Sequence, residues 1–303
     1  MKVLIVGLGS IAQKHIKALR KIFSDLDIYA LRSSADAKPI DCVINIFDLT
    51  EINSLNIDFA IISNPTSLHK ETILNLIPYK VPLFIEKPVF DKLDAETLLT
   101  DIRLNAIPTY VACNLRFLEC IKFVKEFLRN KRINEVNIYC GSYLPEWRPG
   151  VDFRKVYSAN EDMGGGVHLD LIHEIDYMFW LFGKPSHTIS TIRNRSSLEI
   201  SSTDYANYLF EYPNFCVNTI LNYYRRDAKR SMEILLEEGT IKVDLLRNKV
   251  FFEEAEVFSS DKTIFDTYED QLLFFTQDVL KKHIEFNTIT EAVEILRLCI
   301  AKD

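Results

Sequence analysis

Glycine is scarce in this 303-residue chain, nine in all, and five of the nine fall in two places, Gly7 with Gly9 and Gly164 to Gly166. Backbone geometry that only glycine adopts freely is therefore expected at two sites and at few others. The six cysteines, Cys42, Cys113, Cys120, Cys140, Cys216 and Cys299, include no Cys-x-x-Cys pair and mostly sit in apolar runs. That pattern argues against a zinc site and a disulfide framework and marks them as reduced, buried small hydrophobes. No stretch approaches the ~20 apolar residues of a membrane span, and Met1 leads almost at once into a strand-like run instead of a signal peptide, so a cytoplasmic protein is expected. Acidic residues outnumber basic ones, 43 to 36, and the net charge of −7 argues against a general nucleic-acid binder. Repeats, linkers and low-complexity tracts are absent. What is present is ordinary soluble composition, 48% apolar and 26% charged, at a length that suggests two domains.

The chain opens with an apolar strand, residues 2–6, followed by Gly7-Leu8-Gly9-Ser10-Ile11-Ala12 and a helical stretch with Ile11, Ile16, Leu19 and Phe23 near one face. Gly-x-Gly-x-x-Ala between strand and helix is a dinucleotide-binding pattern. Gly7 allows the tight turn, Gly9 lets a pyrophosphate approach the backbone, and Ala12 keeps the helix close to the strand. The second strand, 27–31, ends in Arg32-Ser33-Ser34, where an NAD-binding unit places an acidic residue against the ribose hydroxyls. An arginine flanked by hydroxyls suits the 2′-phosphate, so NADP is expected ahead of NAD. Apolar strands near 42–46, 59–63, 83–85 and 109–113 alternate with helical stretches at 67–77 and 93–104. This rhythm predicts an α/β fold with a Rossmann doubly wound parallel sheet over residues 1–115. Ser63 leads into Asn64-Pro65-Thr66-Ser67-Leu68-His69, a loop at the carboxyl end of its strand, where such sheets bind ligands. Thr66 or Ser67 can cap the next helix, and His69 either touches the cofactor or lies on the helix surface.

Glu86-Lys87-Pro88 interrupts the apolar run 81–85. The run is short and bounded by Pro82 and Pro88, which indicates a strand end, and the bond before Pro88 is a candidate for cis geometry. A lysine after a buried strand of a dinucleotide platform is a candidate for chemistry beside nicotinamide. From about Arg116 the rhythm changes to one helix, 118–129, and then clustered strands at 135–143, 186–193, 205–212, 216–224 and 232–237. An α+β domain with a mainly antiparallel sheet is expected over 116–303, its solvent face a candidate surface for a homo-dimer or homo-tetramer. Within it, Gly164-Gly165-Gly166 reads as a flexible start to a helix on which Asp170 and His173 share a face and His173 and Asp176 repeat the spacing. An imidazole beside a carboxylate is an oriented acid/base pair; metal binding is the rival use, but the spacing is loose and no metal is expected.

Taken in order, Gly7-x-Gly9-x-x-Ala12, the Asn64-Pro65 loop with His69, Glu86-Lys87-Pro88 and the run 164–176 resemble the glucose-fructose oxidoreductase, inositol dehydrogenase and MocA-like family. The likeness spans nearly the whole chain, including Gly239-Thr240-Ile241 and a final helical stretch at 291–299, which is expected to pack back on the Rossmann domain. It implies a C-terminal domain with a large open sheet and hydride exchange between nicotinamide and a carbon bearing a hydroxyl or amine. It also implies Lys87 beside the nicotinamide and the reacting oxygen, with Asp170 as the carboxylate of the site. The chain departs from the family at one place. Members commonly carry a histidine four residues after that aspartate, a position filled here by Glu174, with His173 one place earlier. One residue turns a helix face by ~100°. His173 is expected to carry the proton, with Lys87 as the alternative and His168 as a third candidate.

The expected dinucleotide-binding set is Gly7, Gly9, Ser10, Ile11, Ala12, Arg32, Ser33, Ser34, Ser63, Asn64, Pro65, His69, Glu86, Lys87 and Asn114. For the substrate, Tyr143 and Trp147 can stack on a sugar ring, while Arg116, Arg148 and Arg154 can bind a carboxylate or phosphate, with His168 nearby. A sugar, nucleotide sugar, acidic sugar or cyclitol is the expected substrate of an NAD(P)-dependent dehydrogenase or reductase. The alternative is a nucleotide-sensing regulatory or binding protein of the same fold without turnover. Lys87, Asp170 and a nearby histidine favour the enzyme, because a sensor has no need of proton-transfer groups.

Overall fold

The computed structural model describes residues 1–34, 36 and 38–301. They form two units, one made of Met1–Cys113 with Tyr268–Glu294, the other of Asn114–Thr267 with the chain from Ile295 onward.

In the first unit the short apolar runs become six parallel strands: β1 (Lys2–Val6), β2 (Asp27–Leu31), β3 (Ile44–Ile46), β4 (Phe59–Ile62), β5 (Leu83–Ile85) and β6 (Thr109–Val111). Their order is β3-β2-β1-β4-β5-β6. The central strands β1 and β4 carry almost unbroken apolar, buried sequence, as strands covered on both faces must. The order changes direction between β1 and β4, so the turns leaving these two strands meet at a switch point, where open parallel sheets take ligands. The helix Ser10–Ile22 buries Ala12, His15, Ile16, Ala18 and Leu19. Residues from the end of the chain close the β6 edge. The Asn287 side chain donates to the Val111 carbonyl at 2.7 Å, its own carbonyl accepts from the Val111 N–H at 2.9 Å, and Thr109 Oγ1 accepts from the Ile289 N–H at 3.1 Å.

The second unit holds an eight-stranded sheet built from β7 (Ile133–Tyr143), β8 (His187–Arg193), β9 (Tyr205–Glu211), β10 (Cys216–Asn222), β11 (Tyr224–Leu236), β12 (Gly239–Asp244), β13 (Lys249–Phe252) and β14 (Ala255–Ser259). The order is β14-β13-β12-β11-β7-β10-β9-β8, antiparallel throughout except for the parallel β7–β10 pair. Burial alternates along β9, with Ala206, Tyr208 and Phe210 inside and Tyr205, Asn207 and Leu209 on the open face.

The helix expected across 167–176 is instead two, Val167–Asp170 and Ile172–Phe182, interrupted at Leu171 with φ −102° and ψ 21°. The apolar run gives no sign of this break. It overturns the expectation that Asp170 and His173 share a helix face. Among the described residues, no helix is long and apolar enough to cross a membrane.

Candidate active site

The glycine turn after β1 has the geometry its sequence requires. Gly7 adopts φ +93°, and a Cβ there would fall 2.4 Å from the backbone nitrogen of Asn64, so the two switch-point turns touch only because that side chain is missing. Ser63 stays buried and braces the same contact, its hydroxyl donating to the Gly7 carbonyl at 2.8 Å. Gly9 is different. A Cβ on Gly9 would meet nothing within 4 Å among the described residues, and Gly9 caps the helix Ser10–Ile22 without any side-chain hydrogen bond. The first-turn N–H groups of that helix thus face an open cradle with Ser10 exposed beside it, which fits a pyrophosphate. Gly7→Ala is expected to destabilise the fold by about 1–3 kcal/mol, read as a lower unfolding midpoint, because both φ and the Asn64 contact forbid the methyl.

At the end of β2, Arg32 is half-buried, and among the described residues its polar contacts are long, 3.4 Å to Asn45 Oδ1 and 3.5 Å to the Lys38 carbonyl, with Ser33 and Ser34 exposed. Asn64 donates to Thr72 Oγ1 at 2.8 Å, which ties the loop back to its own helix, and Pro65 is exposed.

Glu86 is not an exposed cofactor ligand. It is buried, its Oε1 accepts from Nε2 of the fully buried His15 at 2.5 Å, and its Oε2 accepts from the Lys87 backbone N–H at 3.2 Å. His15 was invisible as a site residue in the sequence, although it follows Ala12 by three residues on the sheet-facing side of its helix. That polar residue on an apolar face was the available signal. His69 is also corrected: it neither lies on a helix surface nor faces outward. Its ring is buried, with Nδ1 3.1 Å from the Val89 carbonyl and Nε2 3.0 Å from the Asn64 carbonyl. Burial holds its pKa below the usual imidazole value against the pull of those carbonyls and of Glu86. A neutral ring donates to only one of the two at a time. Two buried histidines thus brace the turn that carries Lys87, whose bond to Pro88 is cis.

In the second unit, Asp170, His173 and Asp176 each find a separate partner. Asp170 is 5% exposed, and its two oxygens accept from tyrosine hydroxyls, Oδ1 from Tyr157 at 2.6 Å and Oδ2 from Tyr223 at 2.5 Å. Asp176 lies in a buried two-bond pair with Arg116, Nε to Oδ2 at 2.8 Å and Nη2 to Oδ1 at 2.7 Å. Arg116 is 1% exposed, so the expectation that it binds substrate is overturned: its guanidinium fork is occupied. His173 Nε2 lies 2.6 Å from Arg230 Nη2. The same Nε2 lies 3.1 Å from Glu174 Oε1, so it sits between a guanidinium that only donates and a carboxylate that only accepts. Glu174, in the position where the resemblance places a histidine, is wholly buried, 2.9 Å from Arg230 Nε, with the Tyr177 hydroxyl donating to its Oε2 at 2.9 Å. Burial alone would raise the Glu174 carboxyl; Arg230, His173 and Tyr177 reverse that and hold it below the usual carboxylate range.

The glycine run is not a flexible hinge. A Cβ on Gly165 would fall 2.0 Å from the Tyr157 carbonyl oxygen and 2.8 Å from those of Ser158 and Asn160. The glycines let the segment carrying Tyr157 lie against the start of the Asp170 helix. His168 packs its ring on Gly166 and is half-buried. Trp147 is 38% exposed, edge-on to Tyr223 at 5.3 Å, and its indole N–H donates to Ser142 Oγ at 2.9 Å. The Tyr143 ring carries the Arg226 guanidinium at 4.2 Å. Arg148 lies over the Tyr157 ring at 5.7 Å, Arg154 over Phe153 at 4.6 Å, and Asn114 donates to Thr267 Oγ1 at 2.7 Å. Tyr157 and Arg230 went unassigned in the sequence, since nothing local links them to Asp170 or His173. Among the described residues, no group of three or more His, Cys, Asp or Glu side chains is placed to hold a metal ion.

A parallel sheet whose strand order switches beside an open glycine cradle and an uncapped helix N-terminus defines a dinucleotide-binding protein of the Rossmann class. Two family models agree with that class. The oxidoreductase family model with an NAD-binding Rossmann fold matches residues 1–102, and the Gfo/Idh/MocA C-terminal domain model matches residues 121–242. The chain belongs to the glucose-fructose oxidoreductase, inositol dehydrogenase and MocA family of oxidoreductases. It is similar to the uncharacterized oxidoreductase YrbE of Bacillus subtilis (strain 168), 24% identical over 301 residues that cover 91% of this chain and 85% of the relative. Among solved structures, GenD2 from gentamicin A biosynthesis, in complex with NAD, superposes with a TM-score of 0.81 at 16% identity, covering 100% of this chain and 93% of that one. The UDP-N-acetylglucosamine 3-dehydrogenase GnnA of Acidithiobacillus ferrooxidans gives 0.78 at 15% identity, covering 100% and 97%. At these identities the structural likeness carries the fold alone.

Proposed function

We propose that the protein exchanges hydride between a nicotinamide dinucleotide, NADP ahead of NAD, and a hydroxyl- or keto-bearing carbon of a sugar, nucleotide sugar or cyclitol. The observation that carries the reading is the open cradle at Gly9 above an uncapped helix N-terminus, with the braced Lys87 turn in the same unit. When bound, the dinucleotide supplies the hydride acceptor or donor. The chain's own groups do the rest. The Gly9 backbone and the helix N-terminus hold the pyrophosphate, Lys87 stabilises a developing alkoxide, and Asp170 and His173 handle the proton. The aromatic and basic residues Tyr143, Trp147, Arg148 and Arg226 support a sugar-like substrate with negative charge. A relative named as an inositol 2-dehydrogenase is consistent with that class. The open face of the eight-stranded sheet, where Leu209 and Ile220 stay half-exposed, is taken as the surface on which copies pair.

Arg32 stands where an acid would reject the 2′-phosphate, and its contacts among the described residues are long ones, 3.4 and 3.5 Å. Fluorescence titration of the purified protein is expected to give tighter binding of NADPH than of NADH, and Arg32→Asp is expected to reverse the order. The loss on the NADPH side should be about tenfold or more, the worth of one charge-assisted contact. Tighter NADH binding by the unaltered protein would sink the NADP preference and leave the oxidoreductase reading standing. A panel of sugars, nucleotide sugars and cyclitols followed at the absorbance of reduced nicotinamide then tests the substrate class.

A further inference from the structure

We propose that Tyr157 is the group that meets the substrate's reacting hydroxyl, with Asp170 behind it as the proton acceptor. The inference rests on the oxidoreductase reading above and names a catalytic residue that reading lacks. Asp170 is the carboxylate of the Val167–Asp170 helix, yet it is buried and both of its oxygens already accept short hydrogen bonds from Tyr157 and Tyr223. At 5% exposure the carboxylate itself offers little surface to a substrate hydroxyl. The two tyrosines are not equivalent. Tyr223 is 0% exposed, whereas the Tyr157 residue is 40% exposed with its hydroxyl turned inward on Asp170, so of the two it is Tyr157 that reaches the surface.

The surrounding construction favours a fixed Tyr157. Its backbone carbonyl lies against Gly165, where any Cβ would collide at 2.0 Å, and Gly165 N–H donates to the Asn160 carbonyl at 2.9 Å. The Asn160 side chain in turn donates to the carbonyls of Arg154 at 2.8 Å and Val156 at 2.7 Å. The glycine run therefore has a stated purpose, to set the segment 157–160 against the Asp170 helix. Burial and the neighbouring carboxylate push the Tyr157 hydroxyl above its usual pKa, which keeps it a neutral donor at the carboxylate. The Arg148 guanidinium lies over its ring at 5.7 Å.

For oxidation of an alcohol the step balances as follows. The carbon loses hydride, two electrons and one proton, to an oxidised nicotinamide dinucleotide. The substrate O–H proton passes to Tyr157 Oη as the Tyr157 proton passes to Asp170 Oδ1. The products are a carbonyl, a reduced dinucleotide and a neutral Asp170, with Tyr157 unchanged in charge. Reduction runs the relay backward.

The test compares Tyr157→Phe with Tyr223→Phe, since each removes one hydroxyl from the same carboxylate. With a substrate found among the sugars, nucleotide sugars and cyclitols, Tyr157→Phe and Asp170→Asn are each expected to lower kcat by about 100-fold or more, and Tyr223→Phe by less than tenfold. Substrate affinity of Tyr157→Phe, read from Trp147 fluorescence, should stay within about threefold, and circular dichroism melts show whether each variant folds. Turnover of Tyr157→Phe within tenfold of the parent overturns the inference. So does an equal loss in Tyr223→Phe, which would reduce both tyrosines to braces for Asp170. A parent protein that turns over no member of the panel overturns the oxidoreductase reading and this inference with it.

Discussion

Lys87→Ala is expected to lower kcat by about 10²–10⁴-fold while leaving the NADPH dissociation constant within about threefold. The separation follows from where binding and chemistry reside in the first unit. Pyrophosphate binding is assigned to backbone groups at Gly9 and the helix Ser10–Ile22, none of which depends on the Lys87 side chain. The lysine sits instead on a turn whose shape is held independently of its ammonium group. Glu86 Oε2 takes the Lys87 backbone N–H, Glu86 Oε1 takes His15, and His69 links the Asn64 and Val89 carbonyls on either side. Truncating the side chain therefore removes a charge from the reacting oxygen without collapsing the turn that presents it. Loss of a positioned cation or proton donor has the magnitude of a general acid/base or electrostatic contribution. Stopped-flow absorbance of reduced nicotinamide gives kcat, and protein fluorescence gives the dissociation constant. Parent-level turnover in Lys87→Ala would remove the lysine from the mechanism, whereas a large rise in the dissociation constant would make it a cofactor ligand only.

His15→Ala bears on the same turn from behind. It leaves a buried Glu86 without its 2.5 Å partner, so the turn should loosen and kcat should fall even though His15 touches neither ligand. His15→Gln can still donate to Glu86 and is expected to restore most of the loss. Rescue by that variant, measured as kcat at saturating substrate, distinguishes a positioning role from a general loss of packing.

The parts of the fold that the sequence reveals are those specified by neighbours in the chain. Strands 2–6 and 27–31 fall where the apolar runs place them, and the Gly-x-Gly-x-x-Ala turn declares its geometry because Gly7 and Gly9 act within a few residues. What stays hidden is whatever a distant residue decides. Asp170 is matched to Tyr223 across 53 positions and Glu86 to His15 across 71, and no periodicity encodes either pairing. The break at Leu171 belongs to the same kind. The run 167–176 reads as one apolar helix, and only the contacts that claim Asp170, His173 and Asp176 separately reveal that its first turn points elsewhere. The displaced histidine illustrates the point. Glu174 fills the inward position that the family pattern gives to histidine, and Arg230 from β11 answers it with the matching charge, a pairing visible only after the strand is laid beside the helix.

Asp176→Ala is expected to destabilise the protein by about 3–5 kcal/mol, the cost of leaving Arg116 buried with no carboxylate. Both side chains are essentially inaccessible, and both bonds of the guanidinium fork are short, so water cannot replace the missing oxygens. At roughly 2–4 °C per kcal/mol for a domain of this size, the unfolding midpoint should fall by about 6–20 °C, measured by calorimetry. The double replacement Arg116→Met with Asp176→Leu removes both charges at similar volume and is expected to recover most of that loss, since a buried pair owes its apparent worth to the penalty of separating it. This also decides the fate of Arg116 as a substrate ligand. With its fork closed on Asp176, the double variant should keep KM within about threefold of the parent. A tenfold rise in KM at a normal midpoint would mean that Arg116 exchanges Asp176 for a substrate anion, and the pair would then be a binding element held in reserve instead of a structural tie between 114–117 and the helix Ile172–Phe182.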